Sequence, residues 1–298
     1  MTRLSSFAAL PGALVKTLTF FRQNVQTAAA VAILPGLAAI GQTWQTGAIT
    51  NASTASNWPL YFLTFILWAA AIVLSQAAMF RLALRGRNGG FLGYKFGADE
   101  LRLAASWALI VFLLIIAGGI GLVVFAAIMA TVSIVSLDDA GIAAENPVET
   151  GNIPDLFGYY GATEWGVAIV VGGVFAVLLA GFFGRLLLAP AATMARRKAQ
   201  ALSVMVMTKK RGFAVILGVL LCFIPAGLLI HGFGILAEQF FDVPVHQPAR
   251  LFSEGVMLPR WAVYVPLAFV HGWLAAFLTS PLIAAFTASL YRAWGGDD

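Results

Sequence analysis

The stretch AASWALIVFLLIIAGGIGLVVFAAIMA, Ala104 to Ala130, runs for 27 residues without an acidic, basic or histidine side chain. A helix needs about 20 largely apolar residues to cross a hydrocarbon core of about 30 Å, so this stretch reads as a span long enough to tilt or to extend past the bilayer. Five further runs without Asp, Glu, Lys or Arg flank it: Thr27 to Trp44, Pro59 to Met79, Trp165 to Gly184, Gly212 to Ile235 and Trp261 to Ser289. The composition agrees, with 298 residues that are 60% hydrophobic and 10% charged, and a mean hydropathy of +0.89. A soluble domain keeps about a quarter of its residues charged to cover its surface. The expected fold is therefore all-α: a polytopic membrane protein with six transmembrane helices in one integral membrane domain, residues 1–298.

Charge orients it. Basic residues fall in alternate connections: Arg3, Lys16 and Arg22; Arg81, Arg85, Arg87, Lys95 and Arg102; Arg185 through Arg211; and Arg292. Only Arg250 and Arg260 lie on the opposite side, together with nine of the thirteen acids. The positive-inside rule then places both termini in the cytoplasm of a bacterial inner membrane. The net charge of +5 does not point to nucleic acid, because the cations anchor loops instead of forming one soluble basic face with motif support.

Outside the spans, Leu10, Leu14, Leu18 and Phe21 recur at helical spacing, flanked by Lys16 and Arg22, and predict an interfacial amphipathic helix. The basic connection is expected to be helical from Ala191 to Met207. Trp44, Trp58, Trp165 and Trp261 sit near outer boundaries, where indoles anchor helices at the interface. The opposite face carries an acidic loop, Leu137 to Glu164, with Tyr159 and Tyr160, and a glycosylation-type triplet, Asn51-Ala52-Ser53. Acids keep such a loop soluble, since translocated loops avoid Lys and Arg.

Even-numbered spans end alike, at Phe80-Arg81-Leu82, Gly184-Arg185-Leu186 and Tyr291-Arg292-Ala293, while Ile33-Leu34-Pro35-Gly36-Leu37 echoes Phe223-Ile224-Pro225-Ala226-Gly227-Leu228. This predicts three pseudo-repeated hairpins, about 1–90, 91–198 and 199–298, related as parallel repeats.

Further features carry a resemblance. These are the amphipathic stretch ending Phe20-Phe21-Arg22-Gln23-Asn24, the segment Leu202 to Arg211 running through Thr208-Lys209 into the fifth span, and the ending Pro281-Leu282-Ile283-Ala284-Ala285-Phe286 through Leu290-Tyr291-Arg292. Over nearly its whole length the chain resembles bacterial six-span proteins similar to the membrane domain attached to some glycerophosphoryl diester phosphodiesterases. The resemblance implies architecture and a lipid connection, not an activity. The phosphodiesterase itself is a soluble barrel with acids and histidines around a metal; no such domain fits here, and no catalytic residue carries over.

A search for chemistry finds little. Ionisable groups within a bilayer are costly and mark function, and the predicted span cores hold no acid, lysine or arginine. His271 lies mid-span in the sixth helix and His231 near the outer end of the fifth; with Thr279 and Ser280 they form the candidate intramembrane polar site. A lone histidine bonded to a neighbouring helix is the simpler reading, and two histidines without Cys or carboxylate at ligand spacing make a poor metal site. Cys222 reads as packing. The serine elbow Gly-x-Ser-x-Gly, His-Glu-x-x-His, paired intramembrane aspartates and a Walker lysine motif are absent. No catalytic residue and no cofactor is expected.

Arg81, Arg185, Arg196, Arg197, Lys198, Lys209, Lys210, Arg211 and Arg292 are the candidate contacts for anionic phospholipid headgroups or a protein partner. Two functions follow as expectations. One is a non-catalytic scaffold or accessory subunit linked to lipid or membrane homeostasis, working with lipids, a protein partner or further copies of itself. The other is a transporter or lipid translocator with a groove between the repeats.

Overall fold

The computed structural model describes residues 7–51, 58–86, 91–139, 161–243, 245 and 261–294. The acidic segment 140–160 with its tyrosine pair, positions 52 and 53 of the glycosylation-type triplet, Arg87, His246, Arg250, Arg260 and the side chains of Trp44 and Trp261 lie outside that set.

The described residues form helices without any strand. In chain order these are α1 (Leu10–Gln23), α2 (Val25–Val31), α3 (Ile33–Asn51), α4 (Trp58–Arg85), a 3₁₀ turn (Phe91–Gly93), α5 (Ala98–Asp139), α6 (Ala162–Leu186), α7 (Ala189–Arg196), α8 (Ala201–Met207), α9 (Gly212–Phe241) and α10 (Trp261–Ala293). Six helical stretches are long and apolar enough to cross a membrane, and each coincides with a run read from the sequence. The third lies within the longest helix. At 42 residues α5 measures about 60 Å, twice the hydrocarbon thickness.

Two compact units make up the chain. The first, residues 1–108 and 184–298, is organised around α10, which packs on α1, α2, α3, α4, α7 and α9. Its second half, Pro281 to Ala288, is buried throughout. Close approach is set by small residues: a Cβ added to Gly272 on α10 would stand 2.2 Å from the Cβ of Ala39 on α3, and one at Gly36 would stand 2.9 Å from the Phe269 ring. In lipid, where burying apolar surface between helices gains little, such backbone proximity is the source of packing energy. The second unit, Leu109–Phe183, holds most of α5 and α6. There Phe175 lies against Gly121 and Phe125 against Gly172, while Ile115, Val123, Ile169 and Val170 are exposed. That distribution suits helices solvated by acyl chains.

Two local expectations change. α1 exists, but its buried stripe is Leu10, Ala13 and Thr17, and Leu18 is exposed. The packed face joins Leu10 and Phe21 of the expected stripe to the small Ala13 and Thr17, and Phe21 lies against Phe277 of α10 with ring centroids 5.3 Å apart. The basic connection is not one helix from 191 to 207: Arg197 adopts a left-handed conformation (φ 55°, ψ 30°) and separates α7 from α8. The buried Thr193 hydroxyl accepts a hydrogen bond from the Gln200 N–H at 3.1 Å, stabilising the turn that leaves Arg196, Arg197 and Lys198 exposed.

Candidate functional site

The arginines that close the even-numbered spans gather at one end of the first unit. Arg81, near the end of α4, forms an ion pair with Glu100 in the first turn of α5, and its other guanidinium nitrogen donates to the Gly93 carbonyl at 3.1 Å. Both partners are only 6% exposed. One turn further on, Arg85 donates to Asp99 at 2.7 Å and to the Met194 carbonyl of α7 at 2.8 Å; Arg102 donates to the other oxygen of Asp99 at 3.2 Å. Asp99 and Glu100 also sit where a helix N-terminus favours negative charge. Together with Lys95 and Arg197, these groups line a cavity of about 260 Å³.

The same end is stapled elsewhere. Arg292 on α10 donates to the Leu84 carbonyl of α4 at 2.6 Å, and Arg185 on α6 donates to the Met205 carbonyl of α8 at 2.8 Å. The Thr208 hydroxyl returns the link, 3.0 Å from the Arg185 carbonyl. Arg81, Arg185 and Arg292 thus engage the protein itself, each joining one helix to the next layer. Arg196, Lys209 and Arg211 line a different cavity, of about 440 Å³, where the Arg211 guanidinium lies 4.9 Å above the Trp294 ring. Arg197, Lys198 and Lys210 are exposed.

The intramembrane candidates fall at separate places. Ser280 is buried and hydrogen-bonded to Ser75 of α4, with the hydroxyl oxygens 3.2 Å apart. Thr279 returns its hydroxyl to the Ala275 carbonyl of its own helix at 2.7 Å. His271 is half-buried and stacks on Phe233 of α9 at 6.3 Å, whereas His231 is exposed. Among the described residues no group of three or more His, Cys, Asp or Glu side chains is placed to hold a metal.

One site was missed in the sequence, although Pro35 signals it. Proline has no N–H, so the carbonyl four residues earlier, Val31, loses its helical donor. The first span breaks there, between α2 and α3. The Tyr94 hydroxyl fills the gap: it donates to the Val31 carbonyl at 2.7 Å and accepts from the Leu34 N–H at 3.1 Å. Trp273 on α10 donates to the Ala29 carbonyl at 2.9 Å. Three backbone groups at the break, the orphaned Val31 carbonyl among them, are thereby bonded by two side chains from elsewhere in the chain. Burial pushes the Tyr94 phenol above its ordinary pKa, against the opposing effect of the Leu34 N–H.

Comparison with protein-family models gives no match, and neither the curated proteins nor the solved structures give one.

Proposed function

We propose that this chain is a non-catalytic, multi-pass protein of a bacterial inner membrane, with both termini in the cytoplasm, serving as a scaffold or accessory subunit linked to lipid or membrane homeostasis. The observation that carries the reading is the use made of its polar groups. Arg81, Arg85, Arg185 and Arg292 are spent on helix-to-helix contacts, Ser75 pairs with Ser280, and Tyr94 and Trp273 repair the backbone of the first span. Polar groups committed to internal partners hold a bundle rigid and do not offer a solute a path. The similarity to the membrane domain attached to glycerophosphoryl diester phosphodiesterases, on the residues quoted above, supports a connection to lipid. The exposed cations of α7, α8 and their flanks suit anionic phospholipid, each worth about 1 kcal/mol near a charged surface.

A broken first span favours a second reading, a transporter or lipid translocator, because interrupted helices build substrate sites in secondary transporters. His271, Thr279 and Ser280 would then line its path.

Mass spectrometry of the gently purified chain, against an unrelated six-span control, tests the first reading. A selectively retained phospholipid or a stoichiometric protein partner is expected. Only annular lipid matching the control, with no partner, would count against it.

A further inference from the structure

We infer that the cavity between α7, α8 and the end of α10 is a binding site for a phosphate-bearing anion, and that its occupant is the headgroup of an anionic phospholipid. The wall is built from cations and donors. Arg196, Lys209 and Arg211 line it with Ser203, whose hydroxyl donates to the Gln200 carbonyl at 3.0 Å, and among the described residues no acidic one does. Arg196 and Lys209 have no ion-pair partner among the described residues, in contrast to Arg81, Arg85 and Arg102 in the neighbouring cavity, which pair with Glu100 and Asp99.

Two further groups point to a ligand. Tyr291 and Trp294 line the same cavity, are 1% and 2% exposed, and keep a phenol oxygen and an indole nitrogen without any hydrogen-bond partner among the described residues. Buried polar groups are almost always paired, so two unpaired ones on residues that line a single basic cavity mark a place where an acceptor-rich group fits. An indole N–H only donates, and the cations only donate. The missing partner is therefore an acceptor. A phosphate offers more acceptor oxygens than a carboxylate and takes the Arg196 fork in bidentate fashion with oxygens left for Lys209. The volume of about 440 Å³ leaves room for a headgroup beyond the phosphate.

The choice of a lipid over a soluble phosphate comes from α8. Leu202 and Val206, four residues apart on this helix, are 60% and 79% exposed; Val206 stands at the cavity itself with Ser203 and Met207, and Leu202 beside it. An apolar pair next to a basic pocket matches a helix lying at a bilayer surface with its aliphatic side chains among the acyl chains. The Arg211 guanidinium, stacked on Trp294, covers the indole and would exchange that contact for the phosphate.

This inference rests on the lipid-linked reading of the chain, and its test is separate from that of the scaffold role. Full-length protein, delipidated in detergent, is titrated with phosphatidylglycerol and with phosphatidylcholine, and bound lipid is counted by native mass spectrometry. Phosphatidylglycerol is expected to bind selectively, and R196Q/K209Q is expected to weaken it by at least about tenfold. The charge-matched variant K16Q/R22Q, at exposed positions of α1 outside the cavity, is expected to change binding by less than about twofold. Tyr291→Phe, which keeps the ring, is expected to weaken it by about threefold or more.

Equal loss in both double variants assigns the attraction to diffuse surface charge and overturns the site. No loss in R196Q/K209Q does the same. Inorganic phosphate displacing the lipid at equal concentration contradicts the lipid assignment, since it would show that the anion alone supplies the affinity. Failure of lipid selectivity leaves a protein-scaffold role standing, while solute or lipid movement by the reconstituted chain would overturn that role without touching the site.

Discussion

The arginine at position 81 shows how a single residue changes meaning between sequence and structure. At the end of an apolar run it reads as an interfacial anchor, yet it is buried against Glu100. Removing one member of a buried pair leaves the other charge uncompensated, which costs about 3–5 kcal/mol. Arg81→Ala is thus expected to lower the unfolding temperature in detergent sharply, with R81A/E100A recovering part of the loss. An unchanged midpoint for R81A would show the pair to be inconsequential. The pairing was half legible: Asp99 and Glu100 are the only acids on the basic side apart from Asp297 and Asp298, but which arginine each meets depends on tertiary geometry.

Tyr94 belongs to the same scale. Its phenol must stay protonated to donate to Val31, and burial raises its pKa above the ordinary 10.0. A group whose pKa is raised on folding contributes stability that is fully present below the unfolded value and is lost as pH rises through the folded one. The protein is therefore expected to lose thermal stability above about pH 10, and Tyr94→Phe to lose part of its stability already at pH 8 while showing a flatter alkaline decline. Parallel curves for the two proteins between pH 8 and 11 would remove Tyr94 from the account. Pro35 pointed to an orphaned carbonyl at Val31, but nothing local says that a tyrosine 63 residues away supplies the donor.

Among elements, the six spans were legible because hydrocarbon imposes one rule, a long run without charge, and the chain obeys it six times. The stripes were not, since in lipid the packed face is the small one. α1 shows this in part, burying Ala13 and Thr17 with Leu10 while exposing Leu18. The contact of α3 with α10 shows it again. Gly272→Leu is expected to prevent stable folding, because even a Cβ there would meet Ala39 at 2.2 Å. Gly119→Ala, with nothing within 4 Å of the added carbon, is expected to be neutral or to stabilise its helix by up to about 1 kcal/mol. Detergent-solubilised yield and unfolding midpoint of the two variants check this; equal tolerance would mean that α3 and α10 do not pack through Gly272.

On the scale of the whole molecule, the polar groups of the first unit divide into those that hold helices together and those left for something else. The first set includes Arg81, Arg85, Arg185, Arg292, Ser75, Ser280, Tyr94 and Trp273; the second includes Arg196, Lys209, Tyr291 and Trp294, which line one cavity. That division separates a lipid-linked scaffold from a translocator. It is tested most directly by reconstituting the chain in liposomes that carry a fluorescent phospholipid in both leaflets, then adding a membrane-impermeant quencher. The quenched fraction is expected to equal that of protein-free liposomes. Quenching of nearly all the fluorescence, restored to the protein-free level by His271→Ala, would contradict a non-catalytic scaffold and establish lipid movement along α10.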